Sequence, residues 1–409
     1  MKTVVIIGGG PSGMMAAIQS AKKNKVILIE KNDKLGKKLY ITGKGRCNIT
    51  SSKGIEEFFD FIPGNANFLY SALYTFSNES TVQFFENAGV KLKTERGDRV
   101  FPESDRSSDI ISAFENKLAE MNVTILKNST VVDVNLEDNK INNVVLSNNT
   151  EIKGDFFVFC TGGLSYPQTG STGDGYNFAR KMGHNIIKPF PSLVAIETRE
   201  SWISELQGLS LKNVELKIID KSGKVLFKDF GEMLFTHFGI SGPIVLSASR
   251  VINSKQNLQA VINLKPALTF EELDKRLQKD FCKYTNKDFK NSLNDLLPRK
   301  MIDVVIKLSL IDEDKKVNLI TKEERKRLVI LLTSMTLDIK KARSIEEAII
   351  TCGGVDVKEI DPSSMRSKLV ENLYFAGELI DVDAVTGGFN LQIALSTGYL
   401  AGMMIGENI

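Results

Sequence analysis

The chain begins with two apolar runs separated by a helical pattern. Residues 2–7 predict a short buried strand, residues 14–23 have the periodicity of a helix, and residues 25–29 predict a second strand. An acid, Glu30, ends the second run. Strand, helix, strand and acid in this order are typical of a βαβ unit that binds a dinucleotide. The first run is too short for a secretory signal, and glycines follow it where a cleavage site would be expected.

Three glycines stand between the first strand and the helix at the spacing G-x-G-x-x-G. Gly8 permits a tight turn, Gly10 lets the backbone approach a pyrophosphate, and Gly13 lets the helix lie close to the strand. The N-terminus of that helix offers N–H groups and a positive dipole end to the phosphates. Glu30 is placed to accept hydrogen bonds from an adenosine ribose. The segment therefore predicts dinucleotide binding.

The following pattern suggests a sheet interrupted by a meander. Residues 123–126, 130–136 and 140–146 read as antiparallel strands with polar turns. Residues 155–160 predict another buried strand, which ends on Thr161-Gly162-Gly163. Two-dinucleotide-binding flavoproteins have such a meander before their third parallel strand. The loop at 31–53 is rich in glycine and cations, and Lys31 and its neighbours are either solvated or border a phosphate.

The middle of the chain has a different pattern from its two ends. Short strand-like runs between residues 190 and 265 indicate an inserted β domain, and the pattern from residue 269 to about 343 is helical. Residues 372–376 form a strand-like run before Gly377-Glu378, and Gly387-Gly388 then opens a helix. We therefore expect four segments: 1–190 (FAD-binding domain, first part), 191–266 (inserted β domain), 267–345 (helical domain) and 346–409 (FAD-binding domain, second part).

The second glycine-to-helix junction favours FAD over NAD as the tightly held cofactor. Helix N-terminal amides can stabilise negative charge on a reduced isoalloxazine. The strand, glycine and acid at residues 372–378 can place Glu378 beside the ribityl chain or the pyrophosphate. An NAD enzyme with one Rossmann domain has no need of this second site.

Composition narrows the class of protein further. The chain has 409 residues, 42% hydrophobic and 25% charged, which is typical of a soluble globular protein of two or three domains. A net charge of +3 gives no strong field for nucleic acid or an anionic membrane. Four scattered cysteines and two histidines favour a reducing cytoplasm and no metal site. We expect a cytoplasmic protein with a small-molecule substrate, and the sequence leaves its oligomeric state unknown.

With these residues in view, the chain resembles the BaiN/YhiN-like flavoproteins, also described as the aminoacetone oxidase family of FAD-binding enzymes. The resemblance covers nearly the whole chain and rests on six stretches of sequence: IIGGGPSGMMAA at 6–17, GKKLYITGKGRCNIT at 36–50, GDRVFPESDRSSDI at 97–110, TGGLSYPQTGSTGDGY at 161–176, GEMLFTHFGISGP at 231–243 and LYFAGELIDVDAVTGGFNLQIALSTG at 373–398. It implies an α/β fold: a Rossmann-like two-dinucleotide-binding FAD domain split in sequence, with an inserted β-barrel-like domain and a helical domain. It also implies an FAD-dependent oxidoreductase.

The resemblance implies FAD contacts residue by residue. These are the pyrophosphate at Gly8, Gly10, Ser12 and Gly13, the adenosine ribose at Glu30, the loop from Lys38 to Asn48 around the cofactor with Gly45, Arg46, Cys47 and Asn48, the adenine at Val131, and further contacts at Thr161, Gly162, Gly163, Gly377, Glu378, Asp383, Gly388, Asn390 and Leu391. Three residues are candidates for catalysis: His237 as an acid or base, Tyr166 as a proton donor, and Cys47 as a reactive thiol. For His237 and Tyr166 a purely structural role remains an equal or stronger alternative, and the absence of a CxxC partner makes a catalytic thiol the weakest of the three.

The chemistry expected from these features is hydride transfer through flavin N5. No second G-x-G-x-x-G follows a strand, so NAD(P)H is expected as a transient electron donor without a domain of its own. The first hypothesis is an NAD(P)H-driven reductase of a small enone, steroid- or bile-acid-like among others. The second is an oxidase that uses O₂ on a small amine such as aminoacetone. The third hypothesis is an RNA-modifying or redox-sensing flavoprotein. The near-neutral net charge argues against RNA binding.

Overall fold

A computed structural model describes residues 1–252 and 255–406, which form two compact units. The first unit comprises Met1–Ser192 and the chain from Ile345 onward, and the second comprises Leu193–Ser344. The α-helices of the described part are α1 Pro11–Ser20, α2 Tyr70–Thr75, α3 Asn78–Asn87, α4 Ser107–Glu120, α5 Asp174–Lys181, α6 Pro243–Ala248, α7 Phe270–Lys283, α8 Arg299–Ser309, α9 Lys322–Thr333 and α10 Phe389–Met404.

The strands are divided between the same two units. In chain order they are β1 Thr3–Ile7, β2 Lys25–Ile29, β3 Thr50–Ser51, β4 Leu92–Glu95, β5 Arg99–Pro102, β6 Thr124–Leu126, β7 Val131–Glu137, β8 Lys140–Leu146, β9 Glu151–Lys153, β10 Phe156–Phe159, β11 Ile186–Ser192, β12 Ile196–Thr198, β13 Ser210–Ile219, β14 Val225–Phe235, β15 Gly239–Ser241, β16 Gln259–Asn263, β17 Met335–Ala342, β18 Ile350–Val355 and β19 Leu373–Phe375.

A five-stranded parallel sheet forms the centre of the first unit. Its order is β19-β10-β1-β2-β6, so β19, from the second segment of the unit, lies beside β10, from the first segment. Strand β6 was expected in the antiparallel meander, but it pairs in parallel with β2. The meander itself is β7-β8-β9. Because β1, β10 and β19 are buried, their apolar runs are continuous rather than alternating, as is typical of parallel sheets.

Helices α1 and α10 pack against each other through two glycines of α10. A Cβ atom on Gly398 would lie 2.2 Å from the carbonyl oxygen of Ser12, and one on Gly402 would lie 2.4 Å from that of Ala16. Only glycine permits so close an approach of two helix backbones. The spacing of four residues places both glycines on one face of α10. The helix that opens the chain and the helix that ends the described part are thereby fixed to each other.

The second unit is a closed barrel joined to helices through one hydrophobic core. The barrel order is β12-β15-β14-β13-β16-β17, and every pairing is antiparallel. Core residues of the barrel and of α7–α9 belong to the same buried cluster. Strand β17 was expected to be helical, which was wrong. Its buried residues Met335, Leu337 and Ile339 alternate with exposed ones, which is the period of a strand.

The described residues include neither a candidate membrane-spanning helix nor a candidate metal site. Within residues 1–252 and 255–406, no helix is long and apolar enough to cross a membrane. The same part of the chain contains no group of three or more His, Cys, Asp or Glu side chains suited to a metal ion.

A buried histidine lies in the first unit at the end of α5. Ser367 Oγ accepts hydrogen bonds from the backbone N–H groups of Leu369 and Val370 and shares a hydrogen bond with Nε2 of His184 at 2.8 Å. The side chain of His184 is buried. Burial lowers the pKa of His184, although the negative charge of Glu359 opposes this.

We expect this histidine to make the protein sensitive to acid. Because its pKa is lowered in the folded state, the unfolded chain binds a proton more readily below about pH 6.5. The free energy of unfolding should therefore fall as pH decreases from 6.5, by at most about 1.4 kcal/mol per pH unit from this group. Urea unfolding at pH 7.0 and 5.0 should show a smaller loss in His184→Asn than in wild type. His237→Asn, at an exposed histidine, serves as the control and should keep the wild-type dependence.

Candidate functional site

The glycine turn after β1 has one crowded side and one open side. Gly8 has φ +108°, and a Cβ atom on Gly13 would lie 1.9 Å from the carbonyl oxygen of Gly8. Both positions therefore require glycine. By contrast, a Cβ atom on Gly10 would meet no protein atom within 4 Å. The open side of the turn is where the sequence predicts a pyrophosphate.

Glu30 is held beside this turn by backbone and side-chain donors. Its Oε2 accepts a hydrogen bond from the N–H of Gly9 at 2.8 Å, and its Oε1 accepts from the backbone N–H and Nδ2 of Asn32 at 2.8 and 2.7 Å. A carboxylate oxygen can accept more than one hydrogen bond, so these contacts leave it able to accept from a ribose hydroxyl. Lys31, a predicted cofactor contact, instead forms an ion pair with Asp174 at 2.7 Å.

Two further predicted contacts, Lys38 and Glu378, bind each other. The ammonium group of Lys38 donates to Oε2 of Glu378 at 2.6 Å and to the hydroxyl of Ser165 at 2.7 Å. Ser165 in turn donates to Oε1 of Glu378 at 2.8 Å, and the N–H of Thr351 donates to the same oxygen. The side chains of Lys38 and Glu378 are about four-fifths buried, 20% and 16% exposed. This cluster connects the loop after β2, the loop after β10 and the turn after β19.

Arg46 fixes the loop that contains Cys47 and Asn48 through contacts with residues outside that loop. Its guanidinium pairs with Glu95 and Asp105 and lies 4.2 Å from the ring of Phe101. Gly45 and Cys47 have left-handed backbone conformations, with φ of +86° and +61°. A residue other than glycine rarely adopts this conformation unless the surrounding structure enforces it. The ion pairs of Arg46 supply that support.

The thiol of Cys47 is fully buried, and burial raises its pKa to about 12. The thiolate is the reactive form of cysteine, so this environment weighs against a catalytic thiol. Next to it, Oδ1 of Asn48 is buried without a hydrogen-bond partner among the described residues. Buried polar atoms in folded proteins are nearly always paired, so an unpaired acceptor points to a donor on a bound molecule.

A second unpaired atom follows β10. Oγ1 of Thr161 is buried and has no partner in the described part of the chain. Gly162 has φ +74°, and Gly163 lies so close to Thr351 that a Cβ atom there would be 2.4 Å from its hydroxyl. Val131, the predicted adenine contact, is buried at the start of β7 and pairs with Leu146.

The predicted contacts near α10 are arranged around its N-terminus. Gly388 has φ +99° and its Cα lies close to the backbone of Thr50, and Asn390 bonds to the backbone of Ala384. Asp383 is buried and accepts a hydrogen bond from Ser192 at 3.0 Å. Gly377 contacts Ser12 closely, since a Cβ atom there would lie 2.4 Å from its hydroxyl oxygen. Leu391 is partly buried beside them.

Sequence reasoning missed a buried polar network behind this helix terminus. Gln392 accepts a hydrogen bond from Thr50 at 2.7 Å and donates to the carbonyl of Phe76 at 3.0 Å and to Ser396 at 2.9 Å. All three polar side chains are fully buried. The sequence did contain a signal for this network, namely polar residues within an otherwise apolar helix. Buried polar side chains are nearly always paired, so such residues predict buried hydrogen bonds.

The candidate catalytic residues are divided between the two units. Tyr166 and Cys47 belong to the first unit and His237 to the second. Tyr166 has φ +52° and follows Ser165 of the Lys38–Glu378 cluster, and burial raises the pKa of its phenol. Its hydroxyl is thus protonated at neutral pH. His237 is exposed, and its ring meets that of Phe238 edge-on at 4.9 Å.

These observations fit a dinucleotide cofactor in the first unit. The open side of Gly10 offers space, Glu30 is oriented beside it, and Asn48 and Thr161 each present an unpaired buried oxygen. Of the predicted cofactor-binding residues, Lys31, Lys38, Arg46 and Glu378 make protein contacts that hold the loops together.

Comparison with known proteins identifies relatives that match nearly the whole chain. Along the full length of both chains, the protein is 29% identical to the 3-dehydro-bile acid delta(4,6)-reductase of Clostridium scindens. It is 30% identical to the ribosomal RNA dihydrouridine synthase of Haemophilus influenzae, over 98% of each chain. The fold resembles that of 3-ketosteroid-delta4-(5alpha)-dehydrogenase from Rhodococcus jostii RHA1, with a TM-score of 0.52, 12% identity, and coverage of 99% of this chain and 96% of that one.

The family model described as HI0933-like protein Rossmann domain matches residues 2–404. This confirms the fold class and the family resemblance inferred from the sequence motifs. The chain belongs to the HI0933-like Rossmann-domain family and is an FAD-dependent oxidoreductase.

Proposed function

We propose that the protein reduces a carbon–carbon double bond conjugated to a carbonyl group, with FAD held in the first unit and NAD(P)H as the electron donor. The proposal rests on the type of reaction that the names of two relatives have in common. The Clostridium relative is named for reduction of 4,6 double bonds in a 3-oxo compound, and the Haemophilus relative for formation of dihydrouridine. In uridine the reduced 5,6 bond is conjugated to a carbonyl, so both names describe the same type of bond.

Bound FAD would supply the two-electron chemistry. The first unit contributes binding: the turn at Gly10 for the pyrophosphate, Glu30 for the ribose, the Asn48 side-chain oxygen as an acceptor, and the Thr161 hydroxyl as a donor or acceptor. Reduction of the double bond also needs one proton at the carbon nearer the carbonyl. Tyr166 is the proposed donor, because its half-buried phenol has a raised pKa and holds its proton at neutral pH. The product then carries two more hydrogens than the substrate.

Anaerobic reduction of the purified flavoprotein tests the donor and the reaction together. We expect NADH or NADPH to bleach the flavin absorbance rapidly, and a conjugated enone such as a 4-en-3-one steroid to restore it with formation of the saturated ketone. Tyr166→Phe should slow the restoring step by about 10²-fold, with little change in bleaching. Failure of both nucleotides to bleach a flavin that dithionite reduces would overturn the donor. Rapid reoxidation by O₂ with amine oxidation would instead support the oxidase hypothesis.

A second candidate substrate is a uracil ring in RNA, and the charge distribution favours it. Leu193–Ser344 contains 27 lysines and arginines against 20 acidic residues, a net charge of +7, while the rest of the chain contains 26 against 30, a net charge of −4. We expected no nucleic acid because the net charge of the whole chain is near neutral. That net charge is the sum of a positive charge on the second unit and a negative charge on the first. A net positive charge favours association with a polyanion such as RNA. Incubation with unmodified ribosomal RNA and donor, followed by mass spectrometry of nucleosides, separates this candidate from the small enone.

A further inference from the structure

Thr351 of β18 lies against the loop that follows β10. Its hydroxyl oxygen accepts hydrogen bonds from the backbone N–H groups of Leu164 at 2.8 Å and Ser165 at 3.0 Å. These two residues immediately precede Tyr166, the proton donor of the proposed function. Thr351 is fully buried, and Gly163 is crowded against the same hydroxyl. Three consecutive residues of the loop therefore lie against this one side chain.

The backbone of Tyr166 has a conformation that a tyrosine rarely adopts by itself. Its φ is +52° and its ψ is +60°, in the left-handed region. A side chain disfavours this region, and Pro167 favours an extended conformation in the residue before it. Such a conformation persists only where the surrounding structure enforces it. The contacts on both sides of Tyr166 therefore decide where its phenol lies.

The carbonyl side of Tyr166 is supported by Thr169. The carbonyl oxygen of Tyr166 accepts hydrogen bonds from the N–H and from the hydroxyl of Thr169, both at 2.8 Å. The carbonyl of Thr169 accepts from Nδ2 of Asn32 at 3.0 Å, and the same amide group donates to Glu30 at 2.7 Å. These bonds connect the carbonyl side of Tyr166 to the residue proposed to hold the ribose. On the N–H side, Thr351 supplies the corresponding support.

The hydroxyl of Thr351 can be removed without breaking its contact with the Lys38–Glu378 cluster. It is the backbone N–H of Thr351 that donates to Oε1 of Glu378, at 2.8 Å. Valine keeps this N–H and the branched shape of the side chain. The two N–H groups of the loop would then lack their acceptor, and an unpaired buried N–H group is unfavourable. We therefore expect Thr351→Val to displace the loop and to leave the cluster in place.

We propose that Thr351 is a positioning residue: its hydroxyl fixes the backbone before Tyr166 and thereby directs the phenol towards the carbon that receives the proton. This inference rests on the proposed function, because it gives Thr351 a role through Tyr166. Thr351 itself transfers no proton. The proton passes from the phenol to the carbon nearer the carbonyl, and the phenolate regains a proton from solvent.

Single-turnover reoxidation of the reduced flavoprotein by the enone tests this role. We expect Thr351→Val to slow this step about tenfold, because the phenol is present but displaced. Thr351→Ser keeps a hydroxyl and should restore most of the wild-type rate. Bleaching by NADH or NADPH should be unchanged in both variants, since that step needs no proton from Tyr166. The control Thr333→Val removes a hydroxyl that bonds to carbonyls within α9 of the second unit and should react like wild type.

A double-mutant cycle distinguishes positioning of Tyr166 from a general structural effect. In the Tyr166→Phe background, Thr351→Val should slow reoxidation by no more than about twofold, because no phenol remains to be positioned. An equal loss in both backgrounds would show that Thr351 acts independently of Tyr166 and would overturn the proposal. So would a wild-type rate in Thr351→Val. Circular dichroism establishes that each variant is folded; if Thr351→Val is not, Thr351→Cys, a weaker acceptor, takes its place in every comparison.

Fluorine NMR of protein labelled with fluorotyrosine reports on the phenol without any turnover. The chain has eight tyrosines, and the resonance that disappears in Tyr166→Phe belongs to Tyr166. We expect this resonance to shift in Thr351→Val and to keep its wild-type position in Thr351→Ser. An unshifted resonance in Thr351→Val contradicts the proposal. Should no enone restore the flavin absorbance, or should Tyr166→Phe leave the rate unchanged, the proposed function fails, whereas the fluorine spectra still decide whether Thr351 fixes Tyr166.

Discussion

Replacing Gly10 by alanine is expected to abolish retention of FAD while leaving the apoprotein stable. A Cβ atom at this position meets no protein atom within 4 Å, and the backbone φ of −78° suits alanine. The free energy of unfolding should therefore stay within about 1 kcal/mol of wild type. The added methyl group would occupy the open side of the turn, where the pyrophosphate is proposed to lie. We expect FAD affinity to fall by about 100-fold, measured by flavin fluorescence during titration of apoprotein.

Gly13→Ala is the matched comparison, because here the added atom collides with protein. Its Cβ would lie 1.9 Å from the carbonyl oxygen of Gly8, so the turn or the helix must move. We expect a loss of about 3 kcal/mol in the free energy of unfolding of the apoprotein, together with loss of FAD. Wild-type FAD affinity in Gly10→Ala would contradict the placement of the pyrophosphate. Equal destabilisation by the two substitutions would show that the open side of the turn is occupied by protein.

The second large effect is expected at the Lys38–Glu378 pair. Glu378→Gln leaves the ammonium group of Lys38 with Ser165 but without its carboxylate, in a position only 20% exposed. Breaking a largely buried pair from one side costs more than the pair contributes, so we expect a loss of about 2 kcal/mol in the free energy of unfolding. Because the pair joins three loops around the proposed cofactor position, FAD affinity should fall about tenfold as well. Urea unfolding and flavin titration measure the two effects.

A double-mutant cycle separates pairing from individual roles. Lys38→Met/Glu378→Gln should be less destabilised than the sum of the single variants, because no unpaired charge remains. Lys34→Met is the control: the side chain of this neighbouring lysine is exposed, so little change is expected. Additive losses in the double variant would show that Lys38 and Glu378 act separately, for instance as independent contacts to the cofactor.

The glycine turn and the acid at Glu30 were predictable because their spacing follows from local backbone geometry. The pairing of Lys38 with Glu378 was not, since 340 residues separate two partners that each looked suited to a phosphate or ribityl chain. Strand β17 was missed for another reason. Its lysines made the segment resemble the charged helices before it, although Met335, Leu337 and Ile339 alternate correctly for a strand. The positive net charge of the second unit was missed because only the net charge of the whole chain was considered.

The contact between α1 and α10 has a consequence for the order in which the two units fold during synthesis. Gly398 and Gly402 lie against the backbone of α1, and β19 completes the parallel sheet beside β10. Both elements follow the barrel unit in the sequence, so every residue of the barrel is synthesised before they leave the ribosome. Domains form as their residues become available during translation. The barrel is therefore expected to fold while the first unit still lacks β19 and α10, and FAD can be captured only after these two elements have been released.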